Sequence, residues 1–164
     1  KPSCLHRHRG FESHSLRQFG THMSSTDNKS EKFLREGDAP PFLKIFGFKG
    51  AHYNSEDDTF TCEFDAGVEL THSNGMVVQG GFVTGMLDSC MAQFLIYRTE
   101  GTQAPLSLDI DVKFFNICTP GPITAIAKII KQGKSIAFTE ASIFQNNKLI
   151  ASSTSTNKLV PLRI

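Results

Sequence analysis

Between Gly80 and Arg98 the apolar positions Val83, Met86, Leu87, Cys90, Met91, Phe94 and Leu95 recur at i, i+3, i+4 and i+7. That spacing predicts one helix over 80–98, about 27 Å long. After Gly101 the period changes to two. Leu106, Leu108, Ile110, Val112 and Phe114 fall on one face, and Ser107, Asp109, Asp111 and Lys113 on the other, which predicts a strand. Further strand-like runs cover 123–130, 135–144 and 148–160, separated by Thr119-Pro120-Gly121-Pro122, Gln132-Gly133-Lys134 and Asn146-Asn147, all turn chemistry.

Ahead of the helix, Phe60, Cys62 and Phe64 alternate with Thr59, Thr61, Glu63 and Asp65, after the acidic turn Ser55-Glu56-Asp57-Asp58. Residues 51–69 therefore read as two strands joined by a turn. Pro40-Pro41 followed by FLKIFGF predicts a short amphipathic helix, with proline in its first turn and Gly47 past its end. The order is short helix, two strands, long helix, four strands. A helix with almost no charge must be covered on most sides, and strands are what the chain has to cover it with. The fold class expected is α+β, an antiparallel sheet wrapped around one long central helix. Sheet edges and a small-residue helix face leave pairing of two subunits as a way to finish the burial.

Composition narrows the function classes. The 164 residues, 39% hydrophobic and 20% charged, fit one domain with a substantial core. A net charge of +1 with basic residues spread along the chain gives no footprint for nucleic acid or an anionic membrane. No apolar run reaches the roughly 20 residues of a membrane span, since Gly81, Gly85 and Asp88 interrupt the longest candidate. A soluble, cytoplasmic protein is expected. Cys4, Cys62, Cys90 and Cys118 are far apart and form no C-x-x-C pair, so neither a zinc site nor a disulfide framework is expected. Four of the six histidines lie in the first 22 residues, and no metal site is expected in the fold.

Those first residues differ from the rest. Residues 1–22, ending in Gly-Thr-His just before Met23, read as a tail derived from an expression vector or tag; a targeting peptide is the other reading. Without them basic residues fall from 17 to 13 and acidic ones from 16 to 15, leaving a net charge of −2. Residues 23–38 are polar and expected to be a flexible lead-in or the start of a short helix, and 39–164 a single domain.

The candidate chemistry lies in VVQGGFVTGMLDSCMAQFLIY, residues 77–97, an apolar run carrying the single charge Asp88. At about 100° per residue, Gly81, Gly85 and Ala92 share a face with Asp88 at its edge. Asp88 lies about two turns into the helix, too late to cap it. Gly80 and Gly81 stand at the helix start, where free N–H groups meet the positive end of the dipole and could polarise a carbonyl oxygen. Donors of that kind with a carboxylate base suit acyl transfer or hydrolysis. The structural alternative stays level with it: the glycines as a tight entry turn and Asp88 as an interface or buried hydrogen-bonding residue.

VVQGGFVTGMLDSCMA resembles the signature of hotdog-fold acyl-CoA thioesterases of the phenylacetyl-CoA-thioesterase-like branch, in which His- or Gln-Gly-Gly precedes an Asp on the central helix. PLSLDIDVKFF and KQGKSIAFTEASI are similar to that family's later strands, so the likeness covers about 69–160. It implies a hotdog fold, an acyl-CoA substrate and no cofactor. It implies that Asp88 activates water or attacks directly, and that the Gly80 amide polarises the thioester carbonyl. Asn74 and Ser107 would hold the water or the substrate, with Gln79 and Gly81 beside them, although Asn74 is one residue closer to the glycines than in the family. The resemblance further implies a homodimer or homotetramer whose sites lie between subunits, with Asp and Gly-Gly from opposite chains. Gln79 stands where many relatives have His, and an amide cannot titrate near neutrality. The alternative from another class is a non-catalytic acyl-CoA-binding domain, a sensor or carrier. A dehydratase would need a catalytic His, and His72 fits no such motif.

Overall fold

The computed structural model describes residues 30–162. In chain order it contains β1 (Ser30–Arg35), a 3-10 turn at Glu36–Asp38, α1 (Pro41–Ile45), β2 (Phe48–Asn54) and β3 (Thr59–Ala66). A second 3-10 turn at Val68–Leu70 leads into a two-strand ribbon, β4 (Thr71–His72) and β5 (Val77–Val78), and then α2 (Gly80–Arg98). The chain closes with β6 (Gln103–Phe114), β7 (Gly121–Gln132), β8 (Ile136–Gln145) and β9 (Lys148–Pro161).

Seven strands form one antiparallel sheet in the order β1-β2-β3-β7-β8-β9-β6. Helix α2 lies against one face of it, touching β3, β6, β7, β8 and β9. This is the expected α+β arrangement. The helix presents Val83, Met86, Leu87, Cys90, Met91 and Phe94, all essentially inaccessible to solvent, to Phe60, Cys62 and Phe64 of β3 and Ile123, Ala125 and Ala127 of β7. The alanines let the helix settle so close that Cys90 Sγ lies 3.5 Å from the Phe60 and Ala125 carbonyl oxygens. Among the described residues no helix is long and apolar enough to cross a membrane.

Two sequence expectations change. Residues 30–38, expected as part of a flexible lead-in, carry β1 and a 3-10 turn. A register shift between Lys32 and Leu34 removes the period-two signal from this edge strand. Its anchor is Phe33, whose ring meets Phe60 and Tyr97 edge-on at 5.7 and 5.4 Å. The rest of the lead-in, and the tail at 1–22, lie outside the described residues.

The second change is in β6. A shift between Ser107 and Asp109 leaves Leu108 as an extra residue opposite β9. Across such a bulge the alternation of faces reverses. Ser107 on one side of it and Ile110 and Val112 on the other therefore all turn toward α2, while Leu106 and Leu108 are left 51% and 60% exposed. The expected placement of Ser107 opposite the aliphatic row is corrected by that one residue. Strand β6 pairs only with β9, so its outer edge is open among the described residues.

Candidate active site

At the start of α2, Gln79 takes an extended conformation (φ −65°, ψ 135°) and its Oε1 accepts the Gly81 N–H at 2.6 Å. A Cβ on Gly81 would stand 2.7 Å from that oxygen, so glycine is what permits the cap. The Gly81 amide is thereby occupied by its own chain. The Gly80 N–H meets no acceptor among the described residues. It is the open donor at the positive end of a 19-residue helix.

The ring of Phe114 stands over Gly80, with Cζ 3.3 Å from where a Cβ would be. Phe114 also lines a cleft of about 470 Å³ together with Phe115, Asn116, Ile117 and Lys148. One aromatic side chain thus borders both the open amide and a wide, shallow hollow with a mixed polar and apolar lining.

The small-residue face differs from expectation further along. The Phe46 ring fills the space above Gly85, its Cζ 2.7 Å from where a Cβ would be. That part of the face is closed by the chain itself, because α1 delivers Phe46 there.

Asp88 is half-buried, and Ser107 Oγ donates to its Oδ1 at 2.7 Å. Behind Ser107 lie polar residues that sequence reasoning missed. Asn157 is 1% exposed and its Oδ1 lies 3.3 Å from Ser107 Oγ. Its Nδ2 donates to Thr139 Oγ1 and to Ser155 Oγ, both at 3.2 Å. Ser155 Oγ donates to the Asp109 carbonyl at 2.8 Å and Thr139 Oγ1 to the Ser155 carbonyl at 3.4 Å. A signal for this seam existed: alternation in KLIASSTSTNKLV puts Ser153, Ser155 and Asn157 in line with Ala151 and Leu159, polar side chains on a core-facing row.

The predicted residues therefore fall into two groups. Gln79, Gly80 and Gly81 gather at the helix start, and Asp88 and Ser107 meet near its middle. Gly80 and Asp88 are eight residues apart on one helix, about 12 Å along its axis. Asn74 joins neither group by a hydrogen bond among the described residues. It sits at φ 58° between Ser73 and Gly75, also left-handed, in the turn joining β4 to β5, a conformation that Asn tolerates well.

The thiols of Cys62 and Cys118 are poor candidates for nucleophiles. Burial pushes the Cys62 thiol well above its ordinary value, and burial pushes Cys118 up to about 11.

The profile of the acyl-CoA thioesterase N-terminal domain family matches residues 69–157. The chain superposes on a phenylacetic acid degradation-related protein from Ralstonia eutropha with a TM-score of 0.67 and 22% identity, covering 74% of this chain and 93% of that one. A Bacillus halodurans protein solved with CoA gives 0.66 and 18%, covering 76% and 82%. Zebrafish thioesterase superfamily member 2 gives 0.56 and 26%, covering 62% and 75%. No curated protein matches by sequence.

Proposed function

Because the chain belongs to the family of acyl-CoA thioesterase N-terminal domains and has the hotdog fold of the phenylacetic-acid-degradation type, we propose that it hydrolyses an acyl-CoA to a free acid and CoA. The observation that carries this reading is the Ser107 to Asp88 hydrogen bond, which orients the one carboxylate on α2. A carboxylate oriented by a hydroxyl on Oδ1 keeps Oδ2, which has no partner among the described residues, to take a proton from water.

The thioester carbonyl oxygen docks on the Gly80 N–H, where charge developing on it is stabilised by the helix start. Water deprotonated by Asp88 attacks the carbonyl carbon, and the tetrahedral intermediate collapses to the acid and the CoA thiolate. The thiolate leaves with the proton returned by Asp88. A separation of about 12 Å along the helix is too great for Gly80 and Asp88 of one chain to serve one carbonyl. The reading therefore includes a homodimer, or a homotetramer built from such dimers, in which each site takes Gly80 from one subunit and Asp88 from the partner subunit. The open edge of β6 and the exposed Leu106 and Leu108 support such pairing.

Replacing Asp88 by Asn tests the reading. Thiol release from a panel of acyl-CoAs should fall by a factor of about 10² to 10⁴ with assembly unchanged, and near-normal release would overturn the mechanism. Label found in the Asp88 carboxylate after a single turnover in ¹⁸O-water would identify Asp88 as the nucleophile, with water opening the mixed anhydride at the Asp88 carbonyl. Tight acyl-CoA binding by the unaltered protein without release would favour the sensor or carrier.

A further inference from the structure

The hydrogens in the seam behind Asp88 can be counted. Thr139 and Ser155 spend their hydroxyl hydrogens on the Ser155 and Asp109 carbonyls. Both therefore turn lone pairs toward Asn157, which fixes Nδ2 on their side and leaves Oδ1 facing Ser107. Ser107 has a single hydroxyl hydrogen and two acceptors for it, Asp88 Oδ1 at 2.7 Å and Asn157 Oδ1 at 3.3 Å. Which acceptor holds it depends on charge. An ionised carboxylate outcompetes an amide, because hydrogen bonds to a charged partner are roughly twice as strong as neutral ones. A protonated carboxyl loses that advantage.

We propose that Asn157 is a positioning residue for the hydrolysis, the second acceptor that lets the Ser107 hydroxyl turn away from Asp88 once Asp88 has taken the proton of the attacking water. This rests on the reading of Asp88 as the base. With Asp88 ionised, Ser107 donates to it and holds the carboxylate in place. When Oδ2 receives the water proton, the hydroxyl rotates to Asn157 Oδ1, so the neutral acid is formed without a hydroxyl directed at the wrong acceptor. No proton leaves Ser107 and none reaches Asn157. The amide acts only by accepting a hydrogen bond, and because it is 1% exposed, water does not readily replace it.

The test is a double-mutant cycle on the full chain. Asn157→Leu keeps the branched shape at Cγ, though it is bulkier, and removes the acceptor; Asn157→Ser, too short to reach Ser107, is read in the same way if the leucine variant does not fold. For the folded variant, kcat should fall about fivefold with KM within about twofold, the size of one net hydrogen bond made after substrate binds. Combined with Ser107→Ala, the Asn157 change should cost nothing further, since it acts only through that hydroxyl. An unchanged kcat in a folded variant would overturn the proposal, and so would additive losses, which a purely structural role would give. If Asp88→Asn were fully active, the underlying reading would fail instead; an inactive Asp88→Asn beside a normal Asn157→Leu would sink the inference alone.

Discussion

Gly80, Gly81 and Gly85 all lack a side chain for different reasons. Gly85 makes room for the Phe46 ring, Gly81 for the Gln79 amide, and Gly80 stands beneath Phe114 with its N–H open. A methyl group on Gly80 would meet the tip of an exposed ring rather than backbone, and the ring can give. Gly80→Ala should therefore melt close to the unaltered protein. Yet the methyl would obstruct a carbonyl approaching the amide, and kcat/KM for thiol release should drop about tenfold or more, toward the loss seen when an oxyanion donor is removed. An undiminished rate would show that the carbonyl binds elsewhere. The same substitution patterns could be read in the sequence only as a row of small residues. The gaps at Gly85 and Gly80 are filled from a distance, by Phe46 just past α1 and by Phe114 at the end of β6.

Among the elements, β6 shows how one residue decides a site. If Leu108 took its own place in the ladder, the strand would alternate regularly against β9 and Ser107 could not share the helix-facing side with Ile110 and Val112. Deleting Leu108 removes only the extra residue and leaves Ser107, Ile110 and Val112 on one face, so both thiol release and thermal stability should stay close to those of the unaltered protein. A deletion variant that lost either would show that the distortion of the bulge itself, and not only the register it sets, places Ser107. A second device joins the far end of α2 to the turn between β2 and β3: Tyr53 donates to Asp58 Oδ1 at 2.8 Å and Arg98 to the same oxygen at 2.6 Å. The bond to Asp58, followed by burial, raises the Tyr53 pKa. A group whose folded value is raised stabilises the protein below its ordinary value, about 10 for tyrosine, and loses that contribution as pH climbs through the folded value. Tyr53→Phe should therefore melt lower than the unaltered protein near neutral pH, with the gap narrowing above pH about 10. A gap independent of pH would assign the effect to packing alone.

At the scale of the whole molecule the question is whether one chain can make a site. Asp88→Asn and Gly80→Val should each give an inactive homodimer. In a hybrid of the two, one site pairs both intact residues and the other pairs both substitutions. Unfolding and refolding an equal mixture at random should restore about a quarter of the unaltered activity, since half the dimers are hybrids with one working site each. No recovery, with hybrids shown to form, would place both residues of a site on the same chain.

Much of this was legible along the chain. The span of α2, the four strands after it, the pair before it and the lone Asp88 follow from periodicity, because helix and strand spacing are imposed by neighbours one to four residues away. The likeness to acyl-CoA thioesterases rests on the same contiguous stretch. Edge strand β1 was not legible, since its register shift and its anchoring by Phe33 on Phe60 and Tyr97 leave no local rhythm. Nor was the company Asp88 keeps. Ser107 reaches it across 19 residues of chain and Asn157 reaches Ser107 across 50. Contacts at such separations exist only once the sheet has closed on the helix, and a single bulge shifts which side chains take part. The sequence by itself determined where the helix, most of the strands and the one charge would be; the tertiary structure decided what that charge touches, which glycine amide stays open and which gaps the chain fills itself.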